Sequence, residues 1–249
     1  MVRCQLFMAA GVFAIMRSVI VSGVGDGIGA AVVRELHRTG HKVVVVSRGK
    51  TGADLASELS VAHIRCDLTD ESQVSHMVEE AAGLLGSVDA LVHTAGGYFK
   101  KETIENVDSA FFTGALLNNA LTFYNTVRST VGYLRRSGHG SIVAVSAAPN
   151  VYLNGNVAYA AGKGSVHFMV KQLAAELLQD NITVNGVSPG FFNRGDGSFS
   201  DKGTRLLHKG RLPTESIAKT VSYLLDNPLI TGQLIEVDGG HSTCIQSGL

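Results

Sequence analysis

The chain has 249 residues, of which 45% are hydrophobic, and its 21 basic residues balance its 21 acidic ones. This length suits one large α/β domain or two small ones, and a net charge of zero without a basic run argues against nucleic acid as a main partner. Three widely spaced cysteines, Cys4, Cys66 and Cys244, predict neither a disulfide framework nor a metal site. We therefore expect reduced thiols, no bound metal and a cytoplasmic location.

The first fifteen residues form an apolar N-terminal stretch. An early arginine and an apolar run from Leu6 to Met16 resemble the core of a signal peptide, but the run is too short to span a bilayer. Because it leads directly into a predicted buried strand, we interpret residues 1–15 as an extension produced by the choice of start site. A membrane-associated or interface-packing arm is the alternative, and otherwise we expect no membrane partner.

Seven apolar segments with strand character alternate with segments of helical periodicity after this extension. The strand-like segments are SVIVSG, KVVVVS, AHIRC, DALVHT, GSIVAVS, ITVNGVS and QLIEV. Amphipathic helical segments between them include AAVVRELHRTG, ESQVSHMVEEAAGLLG and SIAKTVSYLLDN. Continuous apolar strands indicate burial on both faces and hence a parallel sheet. The pattern predicts one α/β domain over residues 16–249, a doubly wound parallel sheet of about seven strands with helices on both faces.

A glycine-rich loop follows the first of these strands and opens the first helix. Gly23, Gly27 and Gly29 have the spacing for a tight turn, the close approach of a pyrophosphate and close packing of the helix on the sheet. The N-terminus of the helix would present free N–H groups and its positive dipole end to the phosphates. Strand, loop and helix together predict a dinucleotide site of the Rossmann type.

The end of the second strand bears on which dinucleotide binds. A carboxylate there would bond the adenosine ribose and repel a 2′-phosphate. This chain instead has Ser47 followed by Arg48, with Lys50 nearby, and a guanidinium can pair with a phosphate. Asp26 in the glycine loop adds a negative charge that argues the other way. We expect NADP(H) to be favoured over NAD(H), with a solvated loop role for Arg48 as the alternative.

A phenol and an ammonium lie four residues apart in NVAYAAGKGSVHF. Tyr159 and Lys163 would share one face of a helix, with Cβ atoms about 5–6 Å apart. A free tyrosine, with a pKa of about 10, exchanges protons poorly at neutral pH, and a neighbouring ammonium lowers that pKa. Taken alone, the spacing would fit a surface pair. Together with the glycine loop it indicates a catalytic pair.

From Ser18 to about Ser242 the sequence resembles the short-chain dehydrogenase/reductase family, and 3-oxoacyl-acyl carrier protein reductases in particular. The resemblance rests on SGVGDGIG, CDLTD, HTAG, VAVSAAPNVYLNGNVAYAAGK, NGVSPG and ITGQLIEVDGG, which occur in the family's order. His93 and Thr94 depart from the family's two asparagines, and Arg194 stands where a threonine is common. Arg194 would pair with a cofactor phosphate or a substrate anion, or face solvent.

The resemblance implies a reaction and a role for each residue. Tyr159 would protonate a carbonyl oxygen as hydride arrives from the nicotinamide, or act as the base in reverse, while Ser146 bonds that oxygen. Lys163 would hold the ribose and lower the tyrosine pKa. Asn119 would anchor a proton-relaying water, with Asn118 as the alternative if the count is off by one. The cofactor-binding residues would be Ser22, Gly23, Gly25, Gly27, Ile28, Gly29, Ser47, Arg48, Asp67, Leu68, Ala95, Gly96, Tyr159, Lys163, Pro189, Gly190 and Phe192.

The expected substrate is a small carbonyl compound or alcohol, and a 3-oxoacyl thioester is the first candidate. A sugar or secondary-alcohol dehydrogenase, a nucleotide-sugar epimerase and a non-catalytic NADP-binding sensor or scaffold are the alternatives. Six apolar side chains could line a substrate pocket: Tyr98, Phe99, Tyr152, Leu153, Phe191 and Phe192. The long apolar helices ALLNNALTFYNTVRSTVGYL and GSVHFMVKQLAAELL correspond to helices that pack between subunits in the family. We therefore expect a homo-oligomer, a dimer or tetramer, although such helices could also be buried in a monomer.

Overall fold

The computed structural model describes residues 6–9, 12–192 and 212–243. All seven predicted strands are present within these ranges, so the strand prediction is confirmed. Two further strands precede them in the N-terminal extension, where the sequence predicted none. The strands are β1 (Leu6–Ala9), β2 (Val12–Ile15), β3 (Ser18–Ser22), β4 (Lys42–Ser47), β5 (Ala62–Arg65), β6 (Ala90–His93), β7 (Ser141–Val145), β8 (Thr183–Pro189) and β9 (Leu234–Val237).

The seven strands from β3 onward form one parallel sheet in the order β5-β4-β3-β6-β7-β8-β9. The chain moves outward from β3 in one direction to β4 and β5, then crosses back to β6 and continues the other way. This reversal creates a topological switch point between β3 and β6, and ligands of open α/β sheets bind in the crevice at the carboxyl ends of the strands there. The predicted doubly wound fold is confirmed.

Eight α-helices cover the faces and the carboxyl edge of this sheet in the described part of the chain. They are α1 (Ile28–Arg38), α2 (Lys50–Leu59), α3 (Glu71–Leu85), α4 (Ser109–Leu116), α5 (Thr122–Ser137), α6 (Pro149–Tyr152), α7 (Val157–Glu176) and α8 (Thr214–Asp226). A π-helical turn at Leu117–Leu121 joins α4 to α5, and two short 3₁₀ turns lie at Ile104–Asn106 and Leu178–Asp180. No helix among the described residues is both long enough and apolar enough to cross a membrane.

Successive side chains of the central strands enter two separate cores. On β3, Ile20 belongs to the core that includes Phe123 of α5, whereas Val19 and Val21 belong to the core that includes Leu36 of α1. All of these side chains are completely buried. A strand buried on both faces needs apolar residues at consecutive positions, which explains why the strands read as continuous apolar runs.

Helix α2 was not predicted, and its sequence KTGADLASEL contains a glycine in the first turn, a residue of low helix propensity. The structure supplies the reason for Gly52. A Cβ at this position would lie 2.3 Å from Oγ of Ser47 on the preceding strand, so only glycine lets the helix pack this closely. Tertiary packing therefore overrides local helix propensity in this segment.

The N-terminal strands β1 and β2 pair antiparallel with each other, from Leu6 opposite Ile15 to Ala9 opposite Val12. They form a two-stranded sheet of their own, separate from the seven-stranded one. The chain then enters β3 through Met16 and Arg17, and the Arg17 guanidinium donates a 2.6 Å hydrogen bond to the carbonyl oxygen of His139. The first strand of the seven-stranded sheet begins at Ser18, and the domain boundary at residue 16 stays a prediction.

Candidate active site

A cleft follows the carboxyl edge of the sheet and has two parts that share Gly23, Gly25 and Gly96. We call them the Arg48 end, about 360 Å³, and the Tyr159 end, about 230 Å³. The described residues that line the Arg48 end also include Val24, Ser47, Arg48, Gly49, Cys66, Asp67, Leu68, Thr69, Ala95, Asn118 and Thr122. Those that line the Tyr159 end also include Asp26, Gly27, Ile28, Gly29, Thr94, Gly97, Phe99, Val145, Ser146, Tyr159, Lys163 and Phe192.

The glycine loop forms the floor where the two ends meet. Gly23 has a φ of +82°, and a Cβ there would lie 2.3 Å from the backbone nitrogen of Ala95, so both conformation and space require glycine. A Cβ on Gly29 would lie 2.9 Å from Cα of Val24. Gly25, in contrast, has no described heavy atom within 4 Å of its Cβ position, which leaves open space above the loop.

Helix α1 begins at Ile28, and its N-cap is Gly27, which has no side chain to cap the first-turn N–H groups. No acidic residue lies in that first turn. Uncapped N–H groups and the positive end of the helix dipole are suited to a phosphate. Close backbone packing beneath the loop and open space above it therefore fit the diphosphate of a dinucleotide.

Tyr159 and Lys163 lie one turn apart on α7 and are both buried, with 8% and 5% of their surface exposed. The side-chain oxygen of Asn156 caps this helix by accepting a 2.8 Å hydrogen bond from the backbone N–H of Tyr159. Nζ of Lys163 donates to the carbonyl oxygen of Val145 at 3.1 Å. Burial lowers the pKa of Lys163 from an ordinary 10.5 to about 8. The ammonium is still predominantly charged at neutral pH, where it can stabilise a phenolate.

Ser146 follows β7 and lines the same end of the cleft, but its hydroxyl is engaged. Oγ donates a 3.1 Å hydrogen bond to the backbone carbonyl oxygen of Lys163. This bond ties the serine to the helix that carries the tyrosine. To donate to a substrate oxygen, the hydroxyl must rotate away from the helix, and hydroxyl groups rotate readily.

Asn119 lies in the π-turn and is completely buried. Its Nδ2 donates to the carbonyl oxygens of Ala115 and Gly97, at 2.8 and 3.0 Å, and its Oδ1 accepts from the N–H of Gly97 at 3.3 Å. The amide therefore joins the widened helix to the loop after β6. Since both amide hydrogens are donated, only oxygen lone pairs remain for a relay water.

Two glycines leave room for the side chains of Asn119 and Lys163, which were predicted to be catalytic, to lie near one another. A Cβ on Gly96 would lie 2.6 Å from Nζ of Lys163 and 2.7 Å from Oδ1 of Asn119. A Cβ on Gly162 would lie 3.0 Å from Cβ of Asn119. The structure thus brings Asn119 to Lys163, whereas Asn118 lines the Arg48 end and donates to the carbonyl oxygen of Gly114. The relay role therefore stays a prediction, with Asn119 on the side of Lys163 and Asn118 on the side of Arg48.

The Arg48 end is more exposed and more loosely held. The guanidinium of Arg48, 64% exposed, lies 3.7 Å from Oδ2 of Asp67. Thr69 donates through its N–H and its hydroxyl to Oδ1 of Asp67, and these bonds hold the pKa of that carboxyl below its usual range. Ser47 is buried, and its hydroxyl lies 2.9 Å from Nε2 of His63. Asp26 lines the Tyr159 end and is not among the residues of the Arg48 end.

Several predicted cofactor residues do not face the cleft. Ser22 is completely buried and its hydroxyl contacts Nδ1 of His93 at 3.0 Å, so its side chain supports the sheet. Pro189 ends β8, and a Cβ on Gly190 would lie 2.8 Å from Cβ of Asp238; neither lines the described cleft. Phe192 does line it, with ring carbon Cε2 3.2 Å from the Cβ position of Gly27. Arg194, like Cys4 and Cys244, lies outside the described residues.

His93, where the family has asparagine, was not predicted to take part in the site. Its ring is fully buried between the hydroxyls of Ser22 and Thr122, at 3.0 Å from Nδ1 and 3.4 Å from Nε2. Burial, and then the charge of Lys163, lower the pKa of His93 to about 3. The neutral imidazole therefore links β3 and β6 to the first turn of α5. Only its position in HTAG hinted at such a role.

The comparisons with known proteins agree with this geometry. The family model described as enoyl-(acyl carrier protein) reductase matches residues 23–242. A human 3-oxoacyl-[acyl-carrier-protein] reductase is 33% identical over 88% of this chain and 95% of its own length. Carbonyl reductase family member 4 of Danio rerio is 30% identical over 90% of this chain and 97% of its own.

Solved structures show the same fold. A short-chain type dehydrogenase/reductase from Mycobacterium ulcerans superposes with a TM-score of 0.82 at 24% identity, over 91% of this chain and 90% of that one. The structure described as ElxO with NADP bound superposes with a TM-score of 0.81 at 24% identity, over 92% of this chain and all of that one. At this level of identity the similarity establishes the fold.

Proposed function

The chain belongs to the short-chain dehydrogenase/reductase family and is an NAD(P)-dependent oxidoreductase, and on that premise we propose that it reduces the carbonyl group of a 3-oxoacyl thioester. The observation that carries this proposal is the buried pair of Tyr159 and Lys163 on α7, in a cleft with Ser146 and a glycine loop suited to a diphosphate. Relatives named 3-oxoacyl-[acyl-carrier-protein] reductase support the thioester as the substrate.

Each residue has a defined task in this proposal. Tyr159 holds the proton on its phenol oxygen and donates it to the substrate carbonyl oxygen, and in the reverse direction the phenolate accepts it. The Lys163 ammonium favours the phenolate and thereby brings the tyrosine pKa toward the working range. Ser146 rotates its hydroxyl toward the same substrate oxygen. Asn119 holds the Gly96–Gly97 loop beside Lys163 and offers an oxygen to a relay water. When bound, the nicotinamide coenzyme supplies the hydride.

We propose NADP(H) as the preferred coenzyme. The Arg48 end contains the guanidinium of Arg48, and it also contains Gly49, the N-cap of α2. A 2′-phosphate there would meet both a cation and uncapped backbone N–H groups. The carboxylate of Asp26, which argued against this preference, lies at the other end of the cleft. The Arg48–Asp67 contact is solvent-exposed and long, so exchanging it for a phosphate costs little.

The experiment that tests the function is a substrate panel. Purified protein is mixed with 3-oxoacyl thioesters, simple ketones and oxidised sugars, with NADPH and NADH in parallel, and the absorbance of the reduced nicotinamide is followed. The proposal requires the highest kcat/KM for a thioester with NADPH. A higher value for sugars would assign a sugar dehydrogenase, and coenzyme binding without turnover of any compound would assign a sensor or scaffold.

Three further properties belong to the proposal. A homo-oligomer, dimer or tetramer, is supported by exposed apolar side chains on the two long helices, Tyr124 on α5 and Phe168 on α7, which sedimentation equilibrium can test. A domain that starts at Met16 is supported by the separate pairing of β1 and β2. A cytoplasmic location is supported by the free Cys66 thiol, whose pKa burial raises to about 11, and cell fractionation can test it.

A further inference from the structure

Tyr98 has a backbone conformation that is rare for a bulky residue. Its φ is +70°, in the left-handed region that glycine and asparagine normally occupy. Strained positions of this kind persist only where the surrounding structure holds them, and they concentrate at functional sites. Tyr98 comes directly after the Gly96–Gly97 loop that Asn119 holds, and directly before Phe99, which lines the Tyr159 end of the cleft.

The ring of Tyr98 is anchored on α4. Its hydroxyl oxygen lies 2.4 Å from the position that a Cβ on Gly114 would occupy, so the ring fills a notch that only glycine leaves open. The ring also meets the edge of Phe111, with centroids 5.1 Å apart and planes at 80°. This anchor turns the side chain of Tyr98 away from the cleft, although the sequence placed it among the pocket-lining residues.

The backbone of the same segment is held by one amide group on the catalytic helix. Nδ2 of Asn156 donates to the carbonyl oxygens of Tyr98 and Lys100, at 3.1 and 2.8 Å. Oδ1 of the same side chain accepts from the N–H of Tyr159 at 2.8 Å. All three bonding positions used by this buried amide therefore connect the segment at 98–100 to the start of α7.

The result is an aromatic wall beside the catalytic phenol. The ring of Phe99 meets the ring of Tyr159 edge-on at 5.4 Å and the ring of Phe191 edge-on at 5.9 Å. It also packs over Gly155, whose Cβ position lies 3.3 Å from Cε2 of Phe99. Yet 43% of Phe99 remains exposed, a large fraction for a phenylalanine held in this way. Its open face is available to an apolar part of a substrate.

We propose that Asn156 and Tyr98 are positioning residues that hold Phe99 against Tyr159, and that Phe99 selects substrates with an apolar group beside the carbonyl. The specificity part rests on the proposed carbonyl reduction. The positioning part does not, because the hydrogen bonds and the ring contacts exist whatever the reaction.

The specificity part is tested with two ketones of similar size, one with an alkyl group beside the carbonyl and one with a hydroxylated group. In the wild type we expect a higher kcat/KM for the alkyl ketone than for the hydroxylated one, and we call the quotient of the two values the ketone ratio. Phe99→Ala should lower that ratio about tenfold, mainly through a higher KM for the alkyl ketone. Phe99→Tyr, which keeps the ring, should retain the ratio. Tyr223→Ala, which removes an exposed ring on α8, is the matched control. An unchanged ratio in Phe99→Ala overturns the specificity role.

The positioning part is tested by Asn156→Ser, because serine can still cap α7 but cannot donate to both carbonyl oxygens. We expect faster amide hydrogen exchange in residues 98–102 and a lower ketone ratio, as in Phe99→Ala. Asn181→Ser, which also removes a hydrogen bond from a side-chain amide to a backbone carbonyl oxygen, that of Gly138, should change neither. Tyr98→Ala, which leaves the α7 cap intact, is the second variant if Asn156→Ser does not fold. Unchanged exchange in residues 98–102 in the folded variant overturns the positioning role.

The outcomes separate this inference from the proposed function. If the wild type reduces no carbonyl compound, the proposed function fails and the specificity role of Phe99 fails with it. Hydrogen exchange still decides whether Asn156 and Tyr98 hold the segment. If the wild type reduces ketones with the same ratio as Phe99→Ala, the function stands and the inference fails.

Discussion

The two ends of the cleft differ in how firmly the fold holds their functional groups. At the Tyr159 end, Ser146, Lys163 and Asn119 are buried and each bonds to backbone of another element. At the Arg48 end the guanidinium is mostly exposed, with a 3.7 Å contact to one carboxylate. Groups that move protons must be placed accurately, whereas an exposed cation attracts a phosphate over a range of positions. The fold therefore holds the predicted proton-transfer groups more firmly than the guanidinium of Arg48.

The largest effect should come from Tyr159→Phe. Removal of a general acid typically costs about 10³-fold in rate, while the phenyl ring preserves the packing of α7. We expect kcat to fall by about this factor and coenzyme affinity, followed by fluorescence titration, to stay within a few fold. Appreciable residual turnover would refute the proposed role of the phenol. It would also remove the functional reason for the firmer hold at the Tyr159 end than at the Arg48 end.

Gly96→Ala tests how tightly the Tyr159 end is packed. The added methyl would lie 2.6 Å from Nζ of Lys163 and 2.7 Å from Oδ1 of Asn119, so one of them must move. A displacement of about 1 Å can cost about 10²-fold in rate, and we expect kcat/KM to fall by about that factor. Gly164→Ala is the matched control, because Gly164 lies on α7, is not among the described residues that line the cleft, and has no described heavy atom within 4 Å of its Cβ position. Equal losses in the two variants would contradict the packing argument.

The pH profile tests the burial of Lys163. Its pKa is lowered to about 8, so the ammonium is charged well below pH 8 and loses its proton as the pH rises through that value. If reduction needs the ammonium, kcat should decline above about pH 8, approaching tenfold for each further unit. In Lys163→Arg the cation persists, so the decline should move to higher pH although the rate is lower throughout. A decline at the same pH in both proteins would assign the titration to another group.

Arg48→Ala tests the exposed end. Loss of a charge-assisted bond to phosphate should raise the KM for NADPH about tenfold and leave that for NADH nearly unchanged. Added salt should weaken the preference of the wild type for NADPH over NADH by raising the KM for NADPH, because exposed charges are screened. Arg65→Ala is the matched control, because it removes a nearby cation that is not among the described residues lining the cleft, and it should leave both KM values nearly unchanged. Equal changes for both coenzymes in Arg48→Ala would refute the assignment.

The smallest effect is expected from removal of residues 1–15. Strands β1 and β2 pair with each other and add no strand to the seven-stranded sheet. A protein that begins at Met16 should therefore fold and show kcat within about twofold of the full chain. Far-UV circular dichroism and a steady-state assay measure this. An insoluble product would show that the hairpin supports the domain.

The sequence predicted the strands, and it placed Tyr159 and Lys163 on one helix, because both features depend on local patterns. Buried parallel strands are continuous apolar runs, and Tyr159 and Lys163 lie within one turn of each other. The positions of Ser22 and Tyr98 depend instead on contacts with distant residues: the hydroxyl of Ser22 contacts the ring of His93, and the ring of Tyr98 fills the notch at Gly114. The same reason hid α2, since Gly52 is explained only by the strand beneath it. Contacts across many residues leave no periodic signal in the sequence.

The π-turn that carries Asn119 has a consequence for how this helix tolerates change in length. A π-turn accommodates one residue more than a regular α-helical turn, and such bulges often occur at functional sites. Deleting a single residue from Leu117–Leu121 would allow an unbroken α-helix with ordinary backbone bonding. Because the π-turn holds the extra residue within one turn, the helix on either side of the deletion would keep its orientation, but the residues inside the shortened turn would be repositioned. The more regular helix would lose the alignment of the Asn119 amide with Gly97, since the irregular turn is what aims the amide at that partner.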